Sequence, residues 1–179
     1  MLITDDYRRQ QERLHENLNY GVASLEFAPI VASIVNNLGV KELLDYGAGK
    51  GRLMEALKMK LHEPLRVHCY DPAVPRWSDR PDPCEMVACI DVLEHIEPAC
   101  LDAVLDDLRR CMLQLGFFSV HTGPAVKTLE DGRNAHLIQQ PMEWWLPNLW
   151  QRFAIQTVQV VAHGFYVIVH PRPENSYGS

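Results

Sequence analysis

Asp91, Glu94 and His95 fall at i, i+3 and i+4 directly after the apolar run Met86-Val87-Ala88-Cys89-Ile90. One helical turn would set all three on one face, where two carboxylates and an imidazole could meet one substrate or one metal ion. A second polar group follows in Leu129-Glu130-Asp131-Gly132-Arg133-Asn134-Ala135-His136, ahead of Glu143-Trp144-Trp145, and a loop so rich in functional groups offers a substrate-facing surface. Upstream, Leu43-Leu44-Asp45-Tyr46-Gly47-Ala48-Gly49-Lys50-Gly51 joins an apolar strand to a glycine turn and a helix starting near Arg52. Glycines let the backbone turn sharply and approach a ligand, and the helix presents unpaired N–H donors to an anionic group, so the junction suits a nucleotide-like molecule. Twenty residues past the last glycine, Arg66-Val67-His68-Cys69-Tyr70 ends in Asp71, where a ribose diol needs an acceptor. The plainer reading of Asp71 is a strand-end turn before Pro72. Lys50 lies outside any GxxxxGK[ST] pattern, so it reads as a solvated lysine and a nucleoside triphosphate loop is not indicated.

The elements that must hold these groups alternate between strand and helix. The periodicity predicts strand 42–46, helix 52–61, strand 66–70, strand 86–91, helix 99–112 and strand 116–121, then a helix around 142–152 and two apolar runs, 155–162 and 165–170, split by His163-Gly164 as in an antiparallel hairpin. Ahead of them, residues 5–18 have helical character with Thr4 as cap and few apolar anchors, which suggests a lid, and a second helix with Leu25, Ile30, Val31, Ile34, Val35 and Leu38 on helical spacing stops at Gly39. Between Asp71 and Cys84, four prolines forbid a regular strand or helix.

Composition narrows the class. With 179 residues the chain suits one domain with a substantial core. Seventeen basic against twenty-three acidic residues leave a net charge of −6, so no global field draws it to nucleic acid or an anionic membrane. Five cysteines without a CxxC pair read as reduced thiols, and the absence of a signal-like start or an apolar run of about 18 residues leads us to expect a cytoplasmic protein.

The glycine turn admits a dinucleotide or S-adenosylmethionine. An acid followed by GxGxG, the acid after the second strand and the Leu93-Glu94-His95 ending after Cys84–Val92 together resemble class I S-adenosylmethionine-dependent methyltransferases over roughly residues 40–170. That resemblance implies an α/β, Rossmann-like sheet, mostly parallel with a C-terminal antiparallel hairpin and one strand/helix unit shortened after residue 71. It implies an organisation of 1–38 as lid and packing helix, 39–172 as catalytic region and 173–179 as tail. Cofactor contacts are then expected from Asp45, Gly47, Ala48, Gly49, Gly51, Asp71, Pro72, Asp91 and Tyr20, with Tyr7 and Gly21 closing over them, while the shortened unit leaves only Trp77 and Asp79 as candidates for the adenine. More narrowly, Asp91-Val92-Leu93-Glu94-His95 with His136 resembles the metal-dependent 2′-O-methyltransferases of small-RNA 3′ ends, with aspartate where glutamate is usual, and ubiquinone-pathway O-methyltransferases are similar in the same turn. This implies a divalent ion (magnesium, manganese or zinc) on Asp91, Glu94, His95 and His136. Alternatively His136 is a general base without metal, or Glu94 and His95 shape the pocket. The expected reaction is O-methylation of a small polar metabolite or sugar-containing acceptor. An RNA end, read by Arg76, Arg80, Arg109, Arg110, Lys127, Arg133 and Arg152, and a cofactor-binding subunit without turnover are the alternatives. Of the three tryptophans Trp144, Trp145 and Trp150, at least one is expected in the core.

Overall fold

Five residues, ELLDY, form the first strand, β1 (Glu42–Tyr46), and four of them are buried, as in a strand covered on both faces. The computed structural model describes residues 1–17 and 21–172. Within them α1 (Asp5–Glu16) and α2 (Ala23–Leu38) precede β1, and α3 (Arg52–Leu57), β2 (Arg66–Tyr70), β3 (Cys84–Ile90), α4 (Leu101–Cys111), β4 (Met112–His121), α5 (Met142–Trp150), β5 (Phe153–Val161) and β6 (Gly164–Pro171) follow. The described strands form a six-stranded sheet in the order β2-β1-β3-β4-β6-β5. β2, β1, β3 and β4 are parallel, and β6 runs antiparallel to β4 and β5, so the chain closes with the expected hairpin.

Each face of the sheet carries its own core. On one, Val31 and Val35 of α2 and Leu53 and Leu57 of α3 pack against Leu43, Met86 and Phe117. On the other, Val104, Leu105 and Leu108 of α4 and Trp145 and Leu149 of α5 cover Leu44, Val87, Cys89 and Phe118. Fully burying a side chain such as Phe117 or Phe118 contributes about 2 kcal/mol, so two such layers fix the strand ends below the site. Thr4 caps α1 by accepting the Tyr7 N–H, and Gly39 ends α2 at φ 67°, both as the sequence suggests.

Several boundaries differ from the periodic reading. α3 stops at Leu57 instead of residue 61, and β4 starts at Met112 instead of 116 because α4 passes into it without a loop. The register of β3 against β4 shifts between Cys84 and Met86 to absorb that join. Between β2 and β3 the only regular element is a short 3₁₀ turn, Pro75–Trp77, so the proline-rich stretch replaces a strand and helix. All five cysteines carry unpaired thiols, and among the described residues no helix is long and apolar enough to cross a membrane. From β1 the chain first moves outward to β2 and then returns to β3 on the other side. That reversal opens a crevice at the carboxyl ends of these three strands.

Candidate active site

The glycine turn sits at that crevice. Gly47, Gly49 and Gly51 have φ of 80°, 50° and 73°, left-handed values that an L side chain tolerates poorly, and a Cβ on Gly47 would lie 2.3 Å from Val92 Cγ2. Gly47 and Ala48 donate N–H bonds to the Tyr70 carbonyl at 2.8 and 3.0 Å, tying the turn to the end of β2. Next to it Asp71 is buried, and its two carboxylate oxygens accept from Gly49 N–H and Ala73 N–H, each at 2.9 Å. Each oxygen keeps a second lone pair for a hydroxyl ligand. Asp45 lies beneath, where burial and then the Asp71 charge push its carboxyl up to about 7.

A cleft of ≈ 940 Å³, its open mouth included, runs over this floor. Asp45, Gly47, Ala48, Gly49, Asp71, Pro72 and Asp91 line it, whereas Gly51 stands behind, against Trp77. The opposite wall is α1, whose Tyr7, Gln11 and His15 line the cleft together with Ile3 just before the helix. These four recur every fourth residue; of them only Tyr7 was expected over the cofactor, although the whole stripe is legible in the sequence. His15 Nε2 lies 3.7 Å from Asp71 Oδ2, and burial pulls the imidazole pKa down against the attraction of that carboxylate. Polar bonds hold α1 in place: Thr4 N–H and Oγ1–H donate to the Glu97 carboxylate at 2.9 and 2.8 Å, and Tyr7 O–H donates to the His95 carbonyl at 2.5 Å.

At the far end of the cleft the chain leaves β3 through Asp91, a non-glycine residue at φ 58° whose N–H is held by Ser119 Oγ at 3.1 Å. A 3₁₀ turn, Leu93–His95, follows in place of a helical turn, and it separates the expected trio. One ligand atom each from Asp91, His95 and His136 comes together within 4.8 Å of the others, while Glu94 lies outside this group. Glu94 is fully buried, its Oε1 accepting from His121 N–H at 2.6 Å. Burial and then the nearby Asp91 charge raise its pKa well above the carboxylate range, and its Oε2 has no hydrogen-bond partner. The rings are oriented from behind: His95 Nδ1 meets the Ala135 carbonyl at 2.8 Å and His136 Nδ1 the Gly123 carbonyl at 2.7 Å. Donation from both Nδ1 atoms leaves Nε2 as the acceptor or ligand atom. Burial holds His95 neutral, its pKa pulled down to about 4. His121 and His163 extend the cluster, the first 4.8 Å from the His136 ring and stacked on the second at 5.5 Å, and nothing in their sequence spacing signals it.

Other expected residues go elsewhere. Trp77 covers the back of the glycine turn, and neither it nor Asp79 lines the cleft, which corrects the adenine assignment. Gly21 lines the cleft, and Tyr20 lies outside the described residues. Trp145 is fully buried and Trp144 and Trp150 are exposed. Four of the seven basic residues are ion-paired: Arg80 and Arg110 with Asp107, Arg133 with Asp131, and Arg152 with Asp102 and Asp106, while Arg76 lies over the Trp77 ring and Arg109 donates to the Arg172 carbonyl.

No protein-family model and no curated protein matches the chain. Among solved structures it is similar to the Burkholderia thailandensis 1,6-didemethyltoxoflavin-N1-methyltransferase with bound 1,6-didemethyltoxoflavin and S-adenosylhomocysteine, at 14% identity and TM-score 0.66 over 97% of this chain and 92% of that one. The N-methyltransferase NodS from Bradyrhizobium japonicum WM9, in complex with S-adenosyl-L-homocysteine, aligns at 11% identity and TM-score 0.61 over 94% of this chain and all (100%) of that one. The mitomycin 7-O-methyltransferase MmcR aligns at 14% identity and TM-score 0.66 over 93% of this chain and 60% of that one. The chain thus has the class I S-adenosylmethionine-dependent methyltransferase fold, with one strand/helix unit replaced by the loop 71–83.

Proposed function

We propose that this chain is an S-adenosylmethionine-dependent methyltransferase that methylates a hydroxyl of a small polar or sugar-containing acceptor. Asp91, His95 and His136 carry this reading: their donor atoms converge at the end of the cleft, and Asp91 and His95 also line it. The cleft fits the cofactor, because left-handed Gly47 and Gly49 line it where a Cβ would crowd Val92 and His15, and Asp71 offers acceptors at the end of β2. Asp71 would take the ribose hydroxyls, Asp45 the ammonium of the amino-acid portion, and the Gly47–Gly51 turn would approach the chain between them, with Pro72 beside the ribose.

Methyl transfer forms an oxygen–carbon bond while the carbon–sulfur bond breaks, and its electron pair neutralises the sulfonium. The acceptor must lose its hydroxyl proton. His136, with Nδ1 fixed on the Gly123 carbonyl, presents Nε2 as the base, and His95 orients the same hydroxyl. Glu94 acts underneath them as a positioning residue, its Oε1 holding the His121 N–H beside the Asp91 turn. The donor set also fits a divalent cation: two imidazoles oriented by carbonyls and one carboxylate, with Asp91 reaching the histidines despite its short side chain. Held by Asp91, His95 and His136, with Glu94 beneath, such an ion would lower the pKa of an acceptor hydroxyl. A small acceptor is favoured over an RNA end because Arg80, Arg110, Arg133 and Arg152, four of the seven basic residues that would track phosphates, are engaged by carboxylates.

Calorimetric titration with S-adenosylmethionine and S-adenosylhomocysteine, with chelator and then with magnesium, manganese or zinc, tests the reading. Binding of neither under any condition refutes it. In His136→Ala we expect cofactor affinity to stay within a few-fold while turnover on hydroxyl acceptors drops by at least about a hundredfold. Equal losses of cofactor affinity in His136→Ala and Asp71→Ala would overturn this division of roles.

A further inference from the structure

The sheet carries a second convergence of ligating side chains, at the end opposite the cleft. Glu42 opens β1, Cys84 opens β3 and His68 sits on β2, and one ligand atom from each lies within 4.8 Å of the other two. Because β1 lies between β2 and β3, the carboxylate, the imidazole and the thiol come from three adjacent parallel strands. They are far apart in sequence and match no ligand-spacing motif, so only the folded register assembles them. We infer that Glu42, His68 and Cys84 form a thiolate-containing site for a divalent cation of the zinc class, separate from the cleft.

Thiolate, imidazole and carboxylate together suit zinc and disfavour magnesium or calcium. Tetrahedral bonds of about 2.0–2.3 Å would set the donors about 3.3–3.6 Å apart, so side-chain adjustments of roughly an ångström complete the set and leave one position for water. The ligands differ in access. Cys84 is buried, Glu42 half-buried and His68 exposed, so an ion reaches the thiol from the solvent side through His68. The surroundings are negative: Asp82 and Glu85 flank Cys84 in the chain and Glu42 faces it, a set of charges that a cation complements. The His68 ring makes no hydrogen bond among the described residues, whereas Glu42 is held by Arg66, its one competitor for the cation. The location also gives the ion a role. Among the described residues β2 is an edge strand paired with β1 alone, and the loop 71–83 puts no strand on its outer side. A cation there cross-links β2, β1 and β3 where the fold has lost a covering unit.

Cobalt(II) titration of the full chain, read by its near-ultraviolet thiolate charge-transfer band, tests this directly. The Asp91, His95 and His136 group contains no sulfur and cannot produce that band. We expect the band in the wild type at one equivalent of cobalt, its loss in Cys84→Ser, and its persistence in Cys69→Ser and His136→Ala. His68→Gln should weaken cobalt binding at least about tenfold, the range seen even for outer-sphere partners. Arg66→Ala should tighten it by releasing Glu42. Zinc should raise the melting temperature of the wild type more than that of His68→Gln. No thiolate band at saturating cobalt, or a band that survives in Cys84→Ser, overturns the site. Should Cys84→Ser not fold, the exposed His68 decides, and unchanged cobalt affinity in His68→Gln is then the refuting result.

Discussion

Replacing Asp71 separates a ligand-binding carboxylate from a strand-end turn. In the free protein its two oxygens already brace the turn by accepting from Gly49 and Ala73, so Asp71→Ala removes two things at once. The brace is lost, leaving two N–H groups without their acceptor at a cost of about 1–3 kcal/mol each if they stay buried. The acceptors for both ribose hydroxyls are lost as well. Hydrogen bonds to a charged carboxylate are worth about 1.5–3 kcal/mol each, so the cofactor should lose about 3 kcal/mol or more, roughly a hundredfold in Kd. Asp71→Asn divides these effects: its carbonyl oxygen keeps one backbone donor and one hydroxyl, while its NH2 faces the other donor. An intermediate loss, on the order of tenfold, is expected there. Calorimetry with S-adenosylhomocysteine, with circular dichroism and melting as controls for folding, reads both variants. A natively folded Asp71→Ala that binds within about threefold of wild type would show that Asp71 only braces the turn, and the ribose role would fall.

Gly47→Ala combines a left-handed φ of 80° with a Cβ 2.3 Å from Val92, so calorimetry should show cofactor binding abolished while far-ultraviolet dichroism stays native; retained binding would mean the turn does not contact the ligand. Asp45, at about 7 in the free protein, must ionise to face an ammonium, so affinity for S-adenosylhomocysteine should rise about tenfold from pH 6 to pH 8 and level off in Asp45→Asn. The same group shapes stability in the opposite sense: its folded pKa is raised, so its contribution is present at low pH and is lost as pH climbs from the ordinary carboxylate range to about 7. Glu97→Ala removes both bonds that hold Thr4, about 1.4 kcal/mol net, so stopped-flow release of S-adenosylhomocysteine should quicken about tenfold, and an unchanged rate would mean α1 is no lid.

The glycine-turn end of the cleft was legible because each requirement there is local. A left-handed turn demands glycine, and an acid at a strand end announces itself by position, so Gly47, Gly49 and Asp71 stand out in the chain. The four prolines after Asp71 likewise signalled the shortened unit, since they cannot serve an interior strand. The acceptor end was only half legible. The i, i+3, i+4 spacing assumed a helical turn, but Asp91 adopts φ 58° and a 3₁₀ turn follows, which sends Glu94 inward and leaves His95 with Asp91. The start of β4 was hidden because no loop residue separates it from α4. Trp77, a candidate for the adenine, instead fills the space behind Gly51, a tertiary contact that no nearby residue reports.

α1 touches both ends of the cleft. Of the residues in α1 only Tyr7, Gln10 and Gln11 are buried, so little apolar surface holds the helix down. It is fixed instead by polar bonds on three sides: Thr4 to Glu97, Tyr7 to the His95 carbonyl, and Gln10 and Arg13 to Asp131 and Glu130 of the loop that carries His136. Water can replace such bonds at low net cost, which lets the helix lift without disturbing either core. When it is down, His15 stands beside Asp71, against the carboxylate proposed for the ribose. A cofactor entering the cleft must therefore move His15 and with it the helix bonded to the His95 turn and the His136 loop. On the proposed function, seating the methyl donor and arranging the acceptor residues would then be one event, keeping the sulfonium away from water until the acceptor side is in place.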